Sequence, residues 1–274
     1  MATRSADLSI PDRVALAGAH HSAEPAHTAT LQFIDLDFIT SEAGPVVEVV
    51  RNRSPKASFA YVVTPNVDHL VRLQRNRSDL WPAYRNAWMT LCDSRILAGL
   101  AGRSGFMLPV IPGSDLTALM FEQVIAPDDR IAIVGGEASA IDALARRYRL
   151  RDVRHHNPPM GFINNDVEVA KAIHFLIDAR ARYCFLALGS PQQEILAYRV
   201  LRSGGATGIG FCVGASLDFL TGAQGRAPAL LQRMALEWLY RLLLNPRRLW
   251  RRYLVDGPEI FGIARAWNRA RSQS

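Results

Sequence analysis

The sequence predicts an α/β fold, a doubly wound and mainly parallel sheet with a helical appendage at its C-terminal end. Three observations carry that expectation. Short, almost continuous apolar runs recur along the chain, such as SFAYVV at Ser58–Val63, RIAIV at Arg130–Val134 and YCFLAL at Tyr183–Leu188. Longer segments of helical pattern separate them, which is the rhythm of a parallel sheet covered on both faces. The composition agrees: 274 residues, 49% hydrophobic and 21% charged, suit a globular chain with ample core and exclude disordered, collagen-like and disulfide-scaffold classes.

In chain order, residues 1–28 are rich in Ala, His and Ser and read as a flexible arm without the apolar run of a signal peptide. Residues 29–225 form the α/β domain. Leu31–Phe38 is predicted as a strand and Ser41–Asn52 as a helix. Ser58–Val63 is the second strand, followed by a helix over Val67–Asn76 and a third strand, AWMTLC, at Ala87–Cys92. A helix over Asp115–Ile125 leads to the strand at Arg130–Val134. Ala138–Tyr148 is helical, Val153–His156 a short strand, and Val167–Arg180 helical. The strand from Tyr183, a helix over Gln192–Leu201 and a last strand at Thr207–Val213 close a Rossmann-like series. Residues 226–274 differ. Ala229–Leu244 is strongly helical, Asn245-Pro246 supplies an N-cap and N1 proline for another helix, and Gly257-Pro258 ends it.

Charge separates the same two regions. From Arg226 to the end the chain holds ten Arg, no Lys and three acids, which equals the whole net charge of +7. The first 225 residues are neutral, with 22 side chains of each sign. A basic segment that also carries Trp238, Trp250 and Trp267 suits nucleic acid, a membrane surface or a phosphorylated substrate, or is a solvated helix face. Three widely spaced cysteines without a CxxC argue against disulfides and zinc and for a reducing compartment. No run approaches the length of a membrane span, so a cytoplasmic location is expected.

Ligands of open α/β sheets bind beyond the carboxyl ends of the strands. The residues there are Thr64-Pro65-Asn66, Asp93-Ser94-Arg95, Gly135-Gly136, Gly189 through Glu194, and Gly214-Ala215-Ser216. Their joint appearance points to one ligand cleft. Gly135-Gly136 opens a helix where free N–H groups suit a phosphate, but the third glycine of a dinucleotide fingerprint is missing. Neither GxxxxGK[ST] nor GxSxG occurs, which argues against a P-loop enzyme and a hydrolase elbow. Asp35-Leu36-Asp37 has the DxD spacing of many metal-dependent sugar transferases, and alternation along a strand would put both carboxylates on one face, as an edge or solvent-facing pair rather than a metal site. His155 and His156 point apart in an extended segment, so no metal site is expected there. Asp93, after an apolar strand, is either a general base or a helix N-cap.

Taken in order, the strand-end motifs resemble the WecG/TagA/CpsF glycosyltransferase family. They are TPNVDHL from Thr64, CDSRIL from Cys92, GSDL from Gly113, IAIVGG from Ile131, PPMGF from Pro158 and LGSPQQE from Leu188. The long block GRAPALLQRMALEWLYRLLLNPRRLWRRY ends at Tyr253. The resemblance spans roughly Leu31 to Tyr253. It implies an inverting, metal-independent transferase without a cofactor, taking a UDP-sugar of N-acetylmannosamine or uronic acid type. The implied acceptor is a polyprenyl-diphosphate-linked saccharide for cell-surface polymer or exopolysaccharide. Asp93 falls on the family's catalytic aspartate, Thr64 on its active-site threonine and Gln193 on its conserved glutamine. Asn66, Gly135, Gly136 and Glu194 join Gln193 as substrate-binding candidates, with Arg241, Arg248 and Arg251 as the diphosphate-facing set. Two positions depart from the family pattern: Ser94 follows the aspartate where glycine is usual, and Val110 stands where an arginine is frequent. Arg95 or Arg103 would then supply the missing diphosphate contact. Peripheral attachment to the inner membrane face is expected, with Arg265, Arg269 and Arg271 toward the lipid, and homo-oligomers fit. A nucleic-acid-binding protein acting through the Arg/Trp tail and an NAD-dependent oxidoreductase on the same fold are the alternatives.

Overall fold

The computed structural model describes residues 28–221, 237–244 and 246–273. The chain opens with an antiparallel hairpin, β1 (Thr30–Phe33) and β2 (Leu36–Ile39), followed by helix α1 (Ala43–Asn52). Then come β3 (Ala60–Val63), α2 (Val67–Arg75), α3 (Trp81–Arg85), β4 (Met89–Thr90), α4 (Arg95–Arg103) and α5 (Gly113–Leu119). They are followed by β5 (Arg130–Val134), α6 (Ala138–Tyr148), β6 (Asp152–His156), α7 (Asp166–Ala179), β7 (Tyr183–Leu186) and α8 (Gln192–Ser203). The series ends with β8 (Ile209–Cys212) and α9 (Ser216–Thr221). Three further described helices are α10 (Glu237–Leu244), α11 (Pro246–Trp250) and α12 (Glu259–Arg271). Strands β3 to β8 form one sheet in the order β4-β3-β8-β7-β5-β6, and every pairing is parallel.

Alternation along the strands explains why their sequences are apolar throughout. Tyr61, Val63, Val134 and Leu186 join one core cluster with Leu70 of α2, Tyr84 of α3, Leu176 of α7 and Leu196 of α8. Their chain neighbours Val62, Ile133 and Phe185 join a second with Val46 of α1, Leu116 of α5, Leu144 of α6 and Leu217 of α9. Each sheet face is therefore buried, and each such side chain contributes about 1.5–3 kcal/mol of transfer free energy. The doubly wound fold expected from the sequence is the fold observed. All three cysteines are buried and free.

Three local expectations need correction. Leu31–Phe38 is not one strand but a hairpin, turned at Ile34 (φ 47°) and Asp35 (φ 61°). A two-residue turn of this hand normally advertises itself through Asn-Gly or Asp-Gly. Here a fully buried, β-branched Ile34 occupies a strained backbone region, and its burial in the core holds it there. The turn also splits the DxD pair. Asp35 lies at the bend, where its carboxylate accepts from Gln74 Nε2 at 2.9 Å, while Asp37 stays in β2. The helix expected over Asp115–Ile125 starts at Gly113 and leaves α-geometry at Met120, continuing as a π-helical turn to Val124.

The third correction concerns the end of the chain. Gly257-Pro258 is followed by α12, which returns to the globule through buried Ile260, Ile263 and Ala264. Trp267 packs edge-on against Phe33 at 5.2 Å and Phe106 at 6.1 Å between ring centroids. Arg271, assigned above to the membrane, lies over the Phe106 ring at 4.3 Å and donates to Ser104 O at 3.3 Å. Arg271 is nevertheless exposed, so these contacts orient it without withdrawing it from the surface. Arg265 and Arg269 are exposed as well.

Candidate active site

The carboxyl ends of β3, β4, β7 and β8 lie side by side, because these strands sit together in the parallel sheet. Thr64 leaves β3 with its hydroxyl buried, donating to Cys212 O at the end of β8 at 3.4 Å. Gly113 presses against it: a Cβ there would stand 3.0 Å from Thr64 Oγ1 and 3.6 Å from Ser216 Oγ. A side chain at 113 would press on the Thr64 hydroxyl, so glycine lets the start of α5 sit close without displacing it. Asn66 caps α2, with Oδ1 accepting from Asp68 N at 3.1 Å and its own N–H donated to His69 Nδ1 at 3.4 Å. Its side-chain oxygen is thus engaged by the helix.

Asp93 is tied to the same rim by its backbone, whose N–H donates to Pro65 O at 3.1 Å. The side chain is half-buried. The helix-capping role falls to its neighbour: Ser94 Oγ accepts from Leu97 N at 3.3 Å. Ser94 adopts extended backbone, φ −161°, which any residue takes, so the departure from glycine imposes no strain. Val110 bridges Cys92 as a short parallel extension of β4. Arg95 lies in the first turn of α4 beside Asp93, whereas Arg103 is in its last turn, about 12 Å further along the axis. Of the two, Arg95 is the one near the candidate base.

The β7 end carries most of the buried polar chemistry. Gln193 Oε1 accepts from Gly214 N at 2.8 Å, and Gln193 Nε2 donates to Glu194 Oε1 at 2.9 Å. Behind them, Arg72 Nη2 donates to Ser190 Oγ at 2.7 Å, and Tyr84 Oη lies 3.4 Å from that oxygen. Glu194 is 1% exposed, and burial pushes its carboxyl above the ordinary carboxylate range, against the pull of the Gln193 amide. Sequence reasoning passed over Arg72 and Tyr84; the one trace of Arg72 is its helical i,i+4 spacing from Asp68, which stands 3.8 Å away.

The diglycine is another matter. Gly135 N donates to His156 O at 2.8 Å, so this N–H is used by the neighbouring strand and is not free for a phosphate. A Cβ at Gly135 (φ 89°) would stand 2.6 Å from Ala187 O, which gives the glycine a packing reason. Gly136 follows at φ 80°. His155 Nε2 lies 3.1 Å from Gly135 O while His156 packs on Phe175, so the two rings do point apart. The side chains of Arg241 and Arg248 lie outside the described residues. Arg251 is exposed, 4.0 Å from Asp256, on a turn that packs against α2.

The sheet places Asp93, Thr64 and Gln193 after the carboxyl ends of neighbouring parallel strands, where ligands of doubly wound folds bind. The chain belongs to the glycosyl transferase WecG/TagA/CpsF family, whose sequence profile matches residues 32–274. It is therefore a glycosyltransferase, and the oxidoreductase and nucleic-acid readings lapse. Among curated proteins it is similar to an N-acetylglucosaminyldiphosphoundecaprenol N-acetyl-β-D-mannosaminyltransferase of Staphylococcus aureus (strain NCTC 8325 / PS 47). The two are 24% identical over 242 residues, which is 83% of this chain and 90% of the relative.

Proposed function

We propose that the chain transfers an N-acetylmannosamine-type sugar or a uronic acid from UDP to a polyprenyl-diphosphate-linked saccharide. The transfer inverts the anomeric carbon, needs no metal, and serves the synthesis of a bacterial cell-surface polymer or exopolysaccharide. The relative's name supports this sugar and acceptor class. The observation that carries the reading is Asp93 at the end of β4, on the same rim as Thr64 and Gln193, with the cap of α4 supplied by Ser94 instead.

In this reading the acceptor hydroxyl gives its proton to the Asp93 carboxylate as its oxygen bonds to the anomeric carbon. The bond from that carbon to the β-phosphate oxygen breaks on the opposite face, and its electron pair leaves with UDP. Thr64 and Gln193 hold the donor. Arg241, Arg248 and Arg251, with Arg95, offset the charge that grows on the diphosphate. The membrane side runs from the end of α10 to the start of α12, where Leu243, Leu244, Trp250, Leu254, Val255 and Phe261 are exposed among arginines. Such a surface lies in a lipid interface, and no helix among the described residues is long and apolar enough to cross one. The reaction takes place at the inner face of the cell membrane.

The test supplies UDP-N-acetylmannosamine or UDP-glucuronic acid with a short-chain polyprenyl-diphosphate N-acetylglucosamine in excess EDTA. Release of UDP from one donor, with an inverted product linkage, is the expected result. Release that depends on a divalent metal, or no transfer from any UDP-sugar, overturns the reading.

A further inference from the structure

Glu194 raises a question that the reaction leaves open. The residue is 1% exposed, its Oε1 accepts from the Gln193 amide, its Oε2 is buried without a partner at full hydrogen-bond geometry, and the Ser190 hydroxyl and Arg72 guanidinium lie close enough to favour its charged form. Burying such a group is costly compared with an apolar side chain of similar size. A position that bears this cost and cannot touch substrate acts through its neighbour.

The neighbour is clamped at both ends. Gly214 N–H is a fixed backbone donor, so the atom of Gln193 that faces it is the carbonyl oxygen. The amide nitrogen then faces Glu194, which takes one of its two hydrogens and leaves the other uncommitted. We propose that Glu194 is a positioning residue, which fixes the Gln193 amide and with it the Gly214 turn, so that the second Nε2 hydrogen meets the donor. This rests on the reading of Gln193 as a donor ligand.

A double-mutant cycle in the full-length enzyme tests it, with UDP affinity and steady-state turnover as readouts and thermal melts as the control for folding. Glu194→Leu is expected to keep the fold and to weaken UDP binding and kcat/KM about tenfold. Glu194→Gln, which restores an acceptor, is expected to recover most of the loss. In a Gln193→Ala background, Glu194→Leu is expected to cost nothing further, because the group it orients is gone. Equal losses in both backgrounds overturn the proposal, as does failure of Glu194→Gln to rescue. Full activity of Gln193→Ala by itself would overturn the reading of Gln193, and the proposal with it, and is a distinguishable result. If Glu194→Leu fails to fold, the same comparison is made with Glu194→Gln and Glu194→Ala.

Discussion

At the end of β7, Gln193 and Glu194 are 4% and 1% exposed and bond to each other, whereas Leu243, Trp250 and Leu254 stand 71%, 52% and 55% exposed. One region buries polar groups and the other displays apolar ones, the reverse of the usual arrangement in both places. Neither inversion helps the fold. A buried carboxyl and an exposed tryptophan each cost stability, and in the proposed reaction one lies on the donor side and the other on the membrane side. In the proposed reaction the sheet rim holds the atoms that react. The stretch from the end of α10 to the start of α12 leaves its apolar surface exposed, which the proposed membrane contact would cover. The boundary between these behaviours is sharp, because α12 turns back into the core only a few residues later through Ile260 and Ile263.

The contrast yields measurements of decreasing size. Asp93→Asn should lower turnover about 10²–10⁴-fold with Tm unchanged, read as UDP release beside a thermal melt. Wild-type turnover in that variant would remove the rim from the chemistry. Replacing Leu243, Trp250 and Leu254 together by Ser should weaken binding to phosphatidylglycerol vesicles about tenfold or more, seen by cosedimentation, and leave Tm in place. A falling Tm would mean that these side chains belong to the core instead. Trp267→Ala, just beyond the boundary, should do the opposite and cost about 2–3 kcal/mol in denaturant unfolding. Smallest is Glu259→Gln, which removes the exposed 2.8 Å pair with Arg75 at the start of α12 and should cost less than about 1 kcal/mol.

The strands and most helices were legible because a parallel sheet buried on both faces writes itself as apolar runs. Ala138–Tyr148 and the apolar strands of the central sheet needed nothing beyond local pattern. The hairpin was not legible, since Ile34-Asp35 carries no turn chemistry and is held bent by burial that only the assembled core provides. The same holds for α12, whose partners Phe33, Arg75, Ser104 and Phe106 lie far away in the chain.

For the site, the sequence by itself determined which residue types stand at the strand ends and, through its motifs, the glycosyltransferase family. Tertiary structure alone decided how they are used. Asp93 and Ser94 are neighbours with the same capping potential, and the backbone geometry of the β4–α4 turn gave the cap to Ser94. Gly135 and Gly136 look alike in sequence, yet the approach of Ala187 and the bond to His156 commit the first to packing. Gln193 and Glu194 read as a pair of polar ligands, and helix α8 turned one beneath the other. The physical reason is common to all three: a sequence fixes what a side chain can donate, accept or fill, but partners distant in the chain decide which of those capacities is already taken.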